Sequence, residues 1–187
     1  MKTESNVRYV LRLTVTLLLI ATVVAVALAV VNQITAPEIA KKSEEKVRQA
    51  IETVLPGGYD REITQFADET GMVQKVYAGP NGYALEVHTA GFDGELTMMV
   101  GVGTDGKVLS ICIVSHSETA GLGAVSAAKN AAGQAFREQF AGQSGSVQVQ
   151  KDGGQIDAIT GATVTSRAVC AGVNAALACV AGLGGAQ

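Results

Sequence analysis

Residues 73–115 read VQKVYAGPNGYALEVHTAGFDGELTMMVGVGTDGKVLSICIVS, and this stretch decides the fold. Four runs rich in β-branched and apolar residues, Val73–Ala78, Tyr83–Thr89, Leu96–Val102 and Val108–Ser115, are separated by Gly79-Pro80-Asn81-Gly82, Gly91–Gly94 and Thr104-Asp105-Gly106. Each separator is a turn signal too short for a crossover, so the runs are expected to pair as antiparallel neighbours. Downstream, Val125, Ala128, Ala132, Phe136 and Phe140 recur at helical spacing, which predicts a helix over Ala124–Phe140 facing the sheet. Gln143–Gln155 reads as loop, or as a short strand around Val147–Val149. A last helix is predicted from about Ser166 to Val180, with Val169, Val173, Ala176 and Val180 on one face, before Gly182-Leu183-Gly184-Gly185 frays. The expected class is α+β, an antiparallel sheet packed with helices.

Upstream, Leu13–Val31 is 19 residues without charge, Gly or Pro. As a helix it would reach roughly 28 Å, close to the ~30 Å hydrocarbon core of a bilayer. An uncleaved anchor is the expectation. Ala25-Val26-Ala27-Leu28-Ala29 offers cleavage-like small residues, but the apolar run exceeds the ~7–15 residues of a signal-peptide core. No Cys follows the run, which excludes a lipoprotein. Lys2, Arg8 and Arg12 on one side nearly balance Lys41, Lys42, Lys46 and Arg48 on the other, and the short tail weakly favours an inside N-terminus. Beyond Pro37, Glu38–Val54 reads as a charged, solvated stalk helix with sparse apolar positions at Ile39, Val47, Ile51 and Val54, broken at Pro56-Gly57-Gly58. The expected organisation is a tail over 1–12, an anchor over 13–31, a stalk over 32–58 and a domain over 59–187.

Composition removes several classes. A net charge of −3 with 4% aromatics argues against a nucleic-acid binder. Three Cys make no disulfide framework or iron–sulfur set, and two His make a His-built metal site improbable. Cys170 and Cys179 stand half a turn out of phase on the last helix, and buried thiols are the expectation for both and for Cys112. His88 has no evident partner, and Met98-Met99 reads as sheet packing. No residue is assigned to catalysis or to a metal.

Two segments carry candidate chemistry. Asp157-Ala-Ile-Thr160-Gly161-Ala162-Thr163-Val-Thr165-Ser166 gathers four hydroxyls before a helix. Those hydroxyls suit helix N-capping, and the small residues and open amides also suit a phosphate. Ser115-His116-Ser-Glu118-Thr119-Ala120-Gly121-Leu122-Gly123 links a strand to a helix. Its Gly121-x-Gly123 resembles a dinucleotide loop, but no second parallel strand follows. His116 and Glu118 lack a third partner for acid–base work.

Together the two segments resemble the FMN-binding domain found in the G subunit of the Rnf (Rsx) ion-translocating electron-transport complex, related to the C subunit of the sodium-pumping NADH:quinone reductase. The resemblance spans nearly the whole chain. It rests on Asp157, Thr160, Gly161, Ala162 and Thr163, and on the His116–Gly123 loop, where Ala120 replaces the family's Pro. It implies a covalent FMN phosphoester on Thr163. It also implies cofactor contacts from Asp157, Thr160, Gly161, Ala162, Thr165, Ser166, His116, Glu118, Thr119, Leu122 and Gly123. For Arg167 an exposed helix Arg is the favoured reading, with neutralisation of the phosphate as the alternative. Implied partners are the other membrane and redox subunits of such a complex and an ApbE-type flavin transferase. The implied location is the inner or plasma membrane, with one span and the domain on the extracytoplasmic face. The implied role is electron relay within the complex. A stand-alone anchored FMN reductase and an unflavinylated envelope adaptor are the competing roles.

Overall fold

The computed structural model describes residues 2–184, with side chains described for residues 8–183, so Lys2 as a flanking charge and Gly185 lie outside what is described. The chain divides into two compact units, Met1–Glu45 and Lys46–Gln187. The described residues of the first are helical. They form most of α1 (Lys2–Val54), which runs through Pro37 without a break. Pro37 has no N–H to donate to Gln33, yet neighbouring turns keep the path helical. In the apolar stretch Thr14, Thr16 and Thr22 donate their hydroxyls to the carbonyls of Val10, Arg12 and Leu18 at 2.8–2.9 Å, so no side-chain polar group there is left open. The segment from Arg8 is long and apolar enough to cross a membrane, and none of its most apolar window is buried.

The second unit is built on a five-stranded antiparallel sheet of order β1-β2-β3-β4-β5: β1 (Arg61–Ile63), β2 (Val73–Gly79), β3 (Gly82–Ala90), β4 (Glu95–Gly103) and β5 (Val108–His116). The four strands β2–β5 lie within a residue or two of the expected runs. β1 is the addition. Arg61-Glu62-Ile63 has no apolar alternation, and its two charges sit on an exposed edge strand.

Both sheet faces are covered. On one, Val76, Leu85, Val87, Leu96, Met98 and Val100 pack with Val169, Val173, Ala176 and Val180 of α3 (Thr163–Gly184). On the other, Tyr77, Ala84 and Met99 receive Ala50, Ile51, Val54 and Leu55. This double cover is why β4 is buried continuously from Met98 to Gly103 rather than at alternate positions. The last turns of the expected stalk are therefore part of the domain core, although Ile39 stays exposed. Burial of an aliphatic side chain, about 1.5–3 kcal/mol each, outweighs the solvation that the neighbouring charges favour. Gly101 lets α1 approach: a Cβ there would lie 2.8 Å from the Val54 carbonyl carbon and closer still to its oxygen.

The expected Ala124–Phe140 helix is two pieces, a 3-10 turn over Gly123–Ala127 and α2 (Ala131–Glu138). Asn130 breaks it by capping α2, its side chain accepting the Gly133 N–H at 2.9 Å. Arg137 then binds the carbonyls that the break exposes, Ser126 at 2.6 Å and Ala128 at 3.0 Å. Phe136 and Phe140 still reach the core, stacked edge to face at 5.4 Å. Val147–Val149 forms no strand, but Val149 makes a single parallel bridge to Ile156. α3 has the length and hydropathy of a membrane span, yet two-thirds of that window is buried within the domain, so it is a core helix. It begins at Thr163, three residues earlier than expected, and both Cys170 and Cys179 are buried in the main core because the helix is covered nearly all round.

Candidate functional site

A cleft of about 320 Å³ opens at the N-terminus of α3. Its geometry starts with a turn. Gly161 takes a φ of +77°, and the Ala162 N–H bonds back to the Ile159 carbonyl at 2.9 Å. Ser166 Oγ locks this turn, donating to the Ala162 carbonyl at 2.9 Å and accepting the Ile159 N–H at 3.0 Å. The first intrahelical bond runs from Ser166 N–H to Ala162. The amides of Thr163, Val164 and Thr165 therefore point out of the helix end with no intrahelical acceptor, carrying its partial positive charge.

Thr163 is the first helical residue and is half-buried at the cleft, where its Oγ1 lies 3.4 Å from Lys151 Nζ. Lys151 is carried by a short 3-10 turn over Gln150–Asp152. Asp152 holds that turn to α3 through a bidentate pair with Arg167, at 2.6 and 2.7 Å. The hydrogen bond from Arg167 lowers the Asp152 carboxyl below its ordinary value, and the same pair raises Arg167. Arg167 is thus engaged with Asp152, and Lys151 is the cation that faces the Thr163 hydroxyl.

The floor of the cleft is Glu118. It is 8% exposed. One oxygen accepts the Phe92 backbone N–H at 2.7 Å and the other accepts the Thr165 hydroxyl at 2.7 Å. The carboxylate thereby ties three distant segments together: the β3–β4 turn, the loop after β5 and α3. Two glycines make room for it. A Cβ at Gly123 would stand 2.8 Å from Glu118 Cδ, and one at Gly91 would stand 3.1 Å from it. Thr119 Oγ1 donates to Asp93 at 2.5 Å and fixes the same loop to the turn.

Eight of the residues expected at a site therefore meet here: Glu118, Thr119, Leu122, Gly123, Gly161, Ala162, Thr163 and Thr165. The other four do not line the cleft. Ser166 acts behind the turn. His116 accepts the Glu118 N–H at Nδ1, 3.2 Å away, and shapes the loop. Asp157 and Thr160 face a neighbouring groove bounded by α2, where the Asp157 backbone is bound by the Gln139 side chain. Phe92, Lys151 and Val164 line the cleft without having been singled out in the sequence. Phe92 is 71% exposed in a Gly-rich turn, which is the signal that could have found it; Lys151 carries no such mark.

Phe92, Leu122 and Val164 give the cleft an exposed apolar rim, beside a hydroxyl, a cation and open helix amides. That donor set suits a flat aromatic group carrying a phosphate. Fold and cleft thus define an α+β ligand-binding domain following an apolar N-terminal helix. Residues 91–178, which hold both ends of this site, match the model of the FMN-binding domain. The chain is 32% identical to the G subunit of the Na(+)-translocating ferredoxin:NAD(+) oxidoreductase complex of Acetobacterium woodii, over 92% of each chain. It is 35% identical to the G subunit of the proton-translocating ferredoxin:NAD(+) oxidoreductase complex of Clostridium ljungdahlii, over 81% of each. It is 30% identical to the G subunit of the ion-translocating oxidoreductase complex of Vibrio cholerae, over 80% of this chain and 79% of that one. The chain belongs to this family of G subunits with an FMN-binding domain. Its residues fit FMN: small residues at Gly161 and Ala162, apolar flanks for a ring, and Lys151 for the phosphate.

Proposed function

We propose that this protein is the electron-relaying flavoprotein subunit of an ion-translocating oxidoreductase complex, with FMN held through a phosphoester on Thr163. The single observation that carries the reading is the Thr163 hydroxyl at the open N-terminal turn of α3, with Lys151 Nζ at 3.4 Å. Attachment transfers the flavin phosphate from a flavin dinucleotide donor: a phosphorus–oxygen bond to Oγ1 forms, the donor's pyrophosphate bond breaks, the nucleoside monophosphate leaves and the hydroxyl proton passes to solvent. The resulting phosphodiester anion sits against the open amides of α3 and the Lys151 ammonium, both of which favour it. Bound flavin supplies reversible electron transfer, which no side chain of this cleft can perform. The protein's part is to hold, orient and partly shield it: Thr163 anchors, Lys151 neutralises, and Phe92, Leu122 and Val164 offer apolar surface to the ring.

Residues 13–31 are the single membrane span in this reading, with the tail over 1–12 inside and the domain over 59–187 outside. A tether suits that side, where lost cofactor is not readily replaced, and a flavin transferase acting there installs it. The relatives' names carry both sodium and proton translocation. The span Leu13–Val31 carries no charge, so ion passage falls to other subunits of the complex.

The test is flavin fluorescence of denatured protein in a gel, after co-expression with the transferase. Wild type is expected to show a fluorescent band, with a mass increment on the peptide that contains Thr163. Thr163→Ala is expected to lose both. A fluorescent Thr163→Ala band, or a wild type without adduct, overturns the attachment.

A further inference from the structure

Glu118 has a burden that packing does not explain. It is a carboxylate 8% exposed, and both its oxygens are used as acceptors, one from an amide and one from a hydroxyl. An acceptor at both oxygens is the pattern of the ionised form. Among the described residues it forms no ion pair; the pairs present join other residues. A buried charge stabilised only by neutral dipoles is costly, and its field is poorly screened. Gly91 and Gly123 have no room for a Cβ because Glu118 fills that space, so the surroundings are shaped to keep it. The other charges at the cleft are differently placed. Lys151 faces Thr163, and Asp93 is exposed to water where its field is damped.

We infer that Glu118 sets the reduction potential of the flavin held in this cleft, lowering it through its uncompensated negative charge. The inference rests on the reading that FMN is bound through Thr163. Two electrons and one proton delivered to an oxidised flavin leave one net negative charge on it. A fixed anion on the cleft floor opposes that charge and so shifts the couple toward the oxidised form. The electron donor in the complex is a low-potential redox partner, and in the experiment it is dithionite. The Lys151 ammonium does not cancel the effect, because the phosphodiester takes it.

The test is a spectroelectrochemical titration of the full-length, flavin-loaded protein in detergent. Glu118→Gln keeps the shape and can accept from Phe92 N–H while donating to Thr165, but it removes the charge. Its flavin is expected to be easier to reduce by at least about tenfold in the reduced-to-oxidised ratio, or roughly 30 mV for a two-electron couple. Thr165→Ala keeps the charge and removes one of the two dipoles that stabilise it, so its potential is expected to fall. Opposite signs separate a field from a structural role, because loosening the same contact would move both variants the same way. An unchanged or lowered potential in Glu118→Gln, or a shared direction in the two variants, overturns the inference. If Glu118→Gln fails to fold, the Thr165→Ala potential decides it alone: a fall supports the inference, and no change or a rise overturns it. A wild type without a fluorescent band on a denaturing gel overturns the attachment itself, and with it this inference; a band with no shift overturns this inference only.

Discussion

Gly123→Ala tests the cleft floor as a piece of packing. The added Cβ would stand 2.5 Å from Thr165 Oγ1 and 2.8 Å from Glu118 Cδ, and nearer to the oxygen between them. To reach ordinary 3.4 Å contact these atoms must withdraw by about 0.9 and 0.6 Å. Thr165 cannot, because α3 fixes its backbone and the residue is fully buried. Glu118 cannot swing aside, because its other oxygen is already against Gly91. The added Cβ is therefore held in overlap with both, and any relief that parts them breaks the 2.7 Å bond between them. Overpacking and the lost bond to a buried charged group together are expected to cost about 2–4 kcal/mol. For a unit of this size that is a fall in Tm of roughly 6–15 °C. The assay is differential scanning calorimetry of the full-length protein in detergent, in which α1 stays helical and the domain melts. Gly121→Ala is the comparison: it sits two residues away at a φ of +78° with open space around it, so only backbone strain, about 1–2 kcal/mol, applies. Gly123→Ala melting within about 2 °C of wild type, or above Gly121→Ala, would refute the packing account.

Other outcomes follow from separate parts of the molecule. Gly101→Ala should loosen the end of α1 from the sheet, because the clash is with the Val54 backbone; a loss of about 1–3 kcal/mol and faster proteolysis near Leu55 are expected. Lys151→Met should lower the yield of covalent flavin on denaturing gels, and Arg167→Ala should do so more mildly, since the freed Asp152 carboxylate would draw Lys151 away from Thr163. Burial opposes ionisation of Asp68, but hydrogen bonds from the Thr70 hydroxyl and the Val73, Thr70 and Met72 amides outweigh it and lower its pKa from 3.8. The bond from Arg167 does the same for Asp152. Both folded values are depressed, so their stabilisation is present above pH 3.8 and is lost as pH falls below it; Asp68→Asn should flatten that part of a Tm-against-pH curve. Burial, with Asp152 adding to it, raises the Cys170 thiol to about 11, and burial with Asp68 raises Cys179 to about 11. Iodoacetamide at pH 8 should leave both unmodified until the domain is unfolded, as read by mass spectrometry.

The strand runs were legible because turn chemistry is local. Gly79-Pro80-Asn81-Gly82 and Thr104-Asp105-Gly106 specify tight reversals from their own residues, so the antiparallel order follows without knowledge of anything distant. The long apolar helix was legible for a similar reason, since length and apolarity alone define it. The motif around Thr163 was legible as a dense run of hydroxyls and small residues. What the sequence could not carry was which side chains face one another. Glu118 meets Thr165 across 47 positions and Phe92 across 26, and only the packing of α3 and the β3–β4 turn against the loop after β5 brings them together. Lys151 reaches Thr163 because the Asp152–Arg167 pair pins its turn to the helix. Asp157 and Thr160 sit on the far side of the Gly161 turn from the cleft, although they are neighbours of Thr163 in the chain. Local chemistry thus determined the elements and the attachment candidate. Tertiary structure alone decided the charges around it, because electrostatic partners are set by distance in space and one left-handed glycine suffices to turn a neighbouring side chain away.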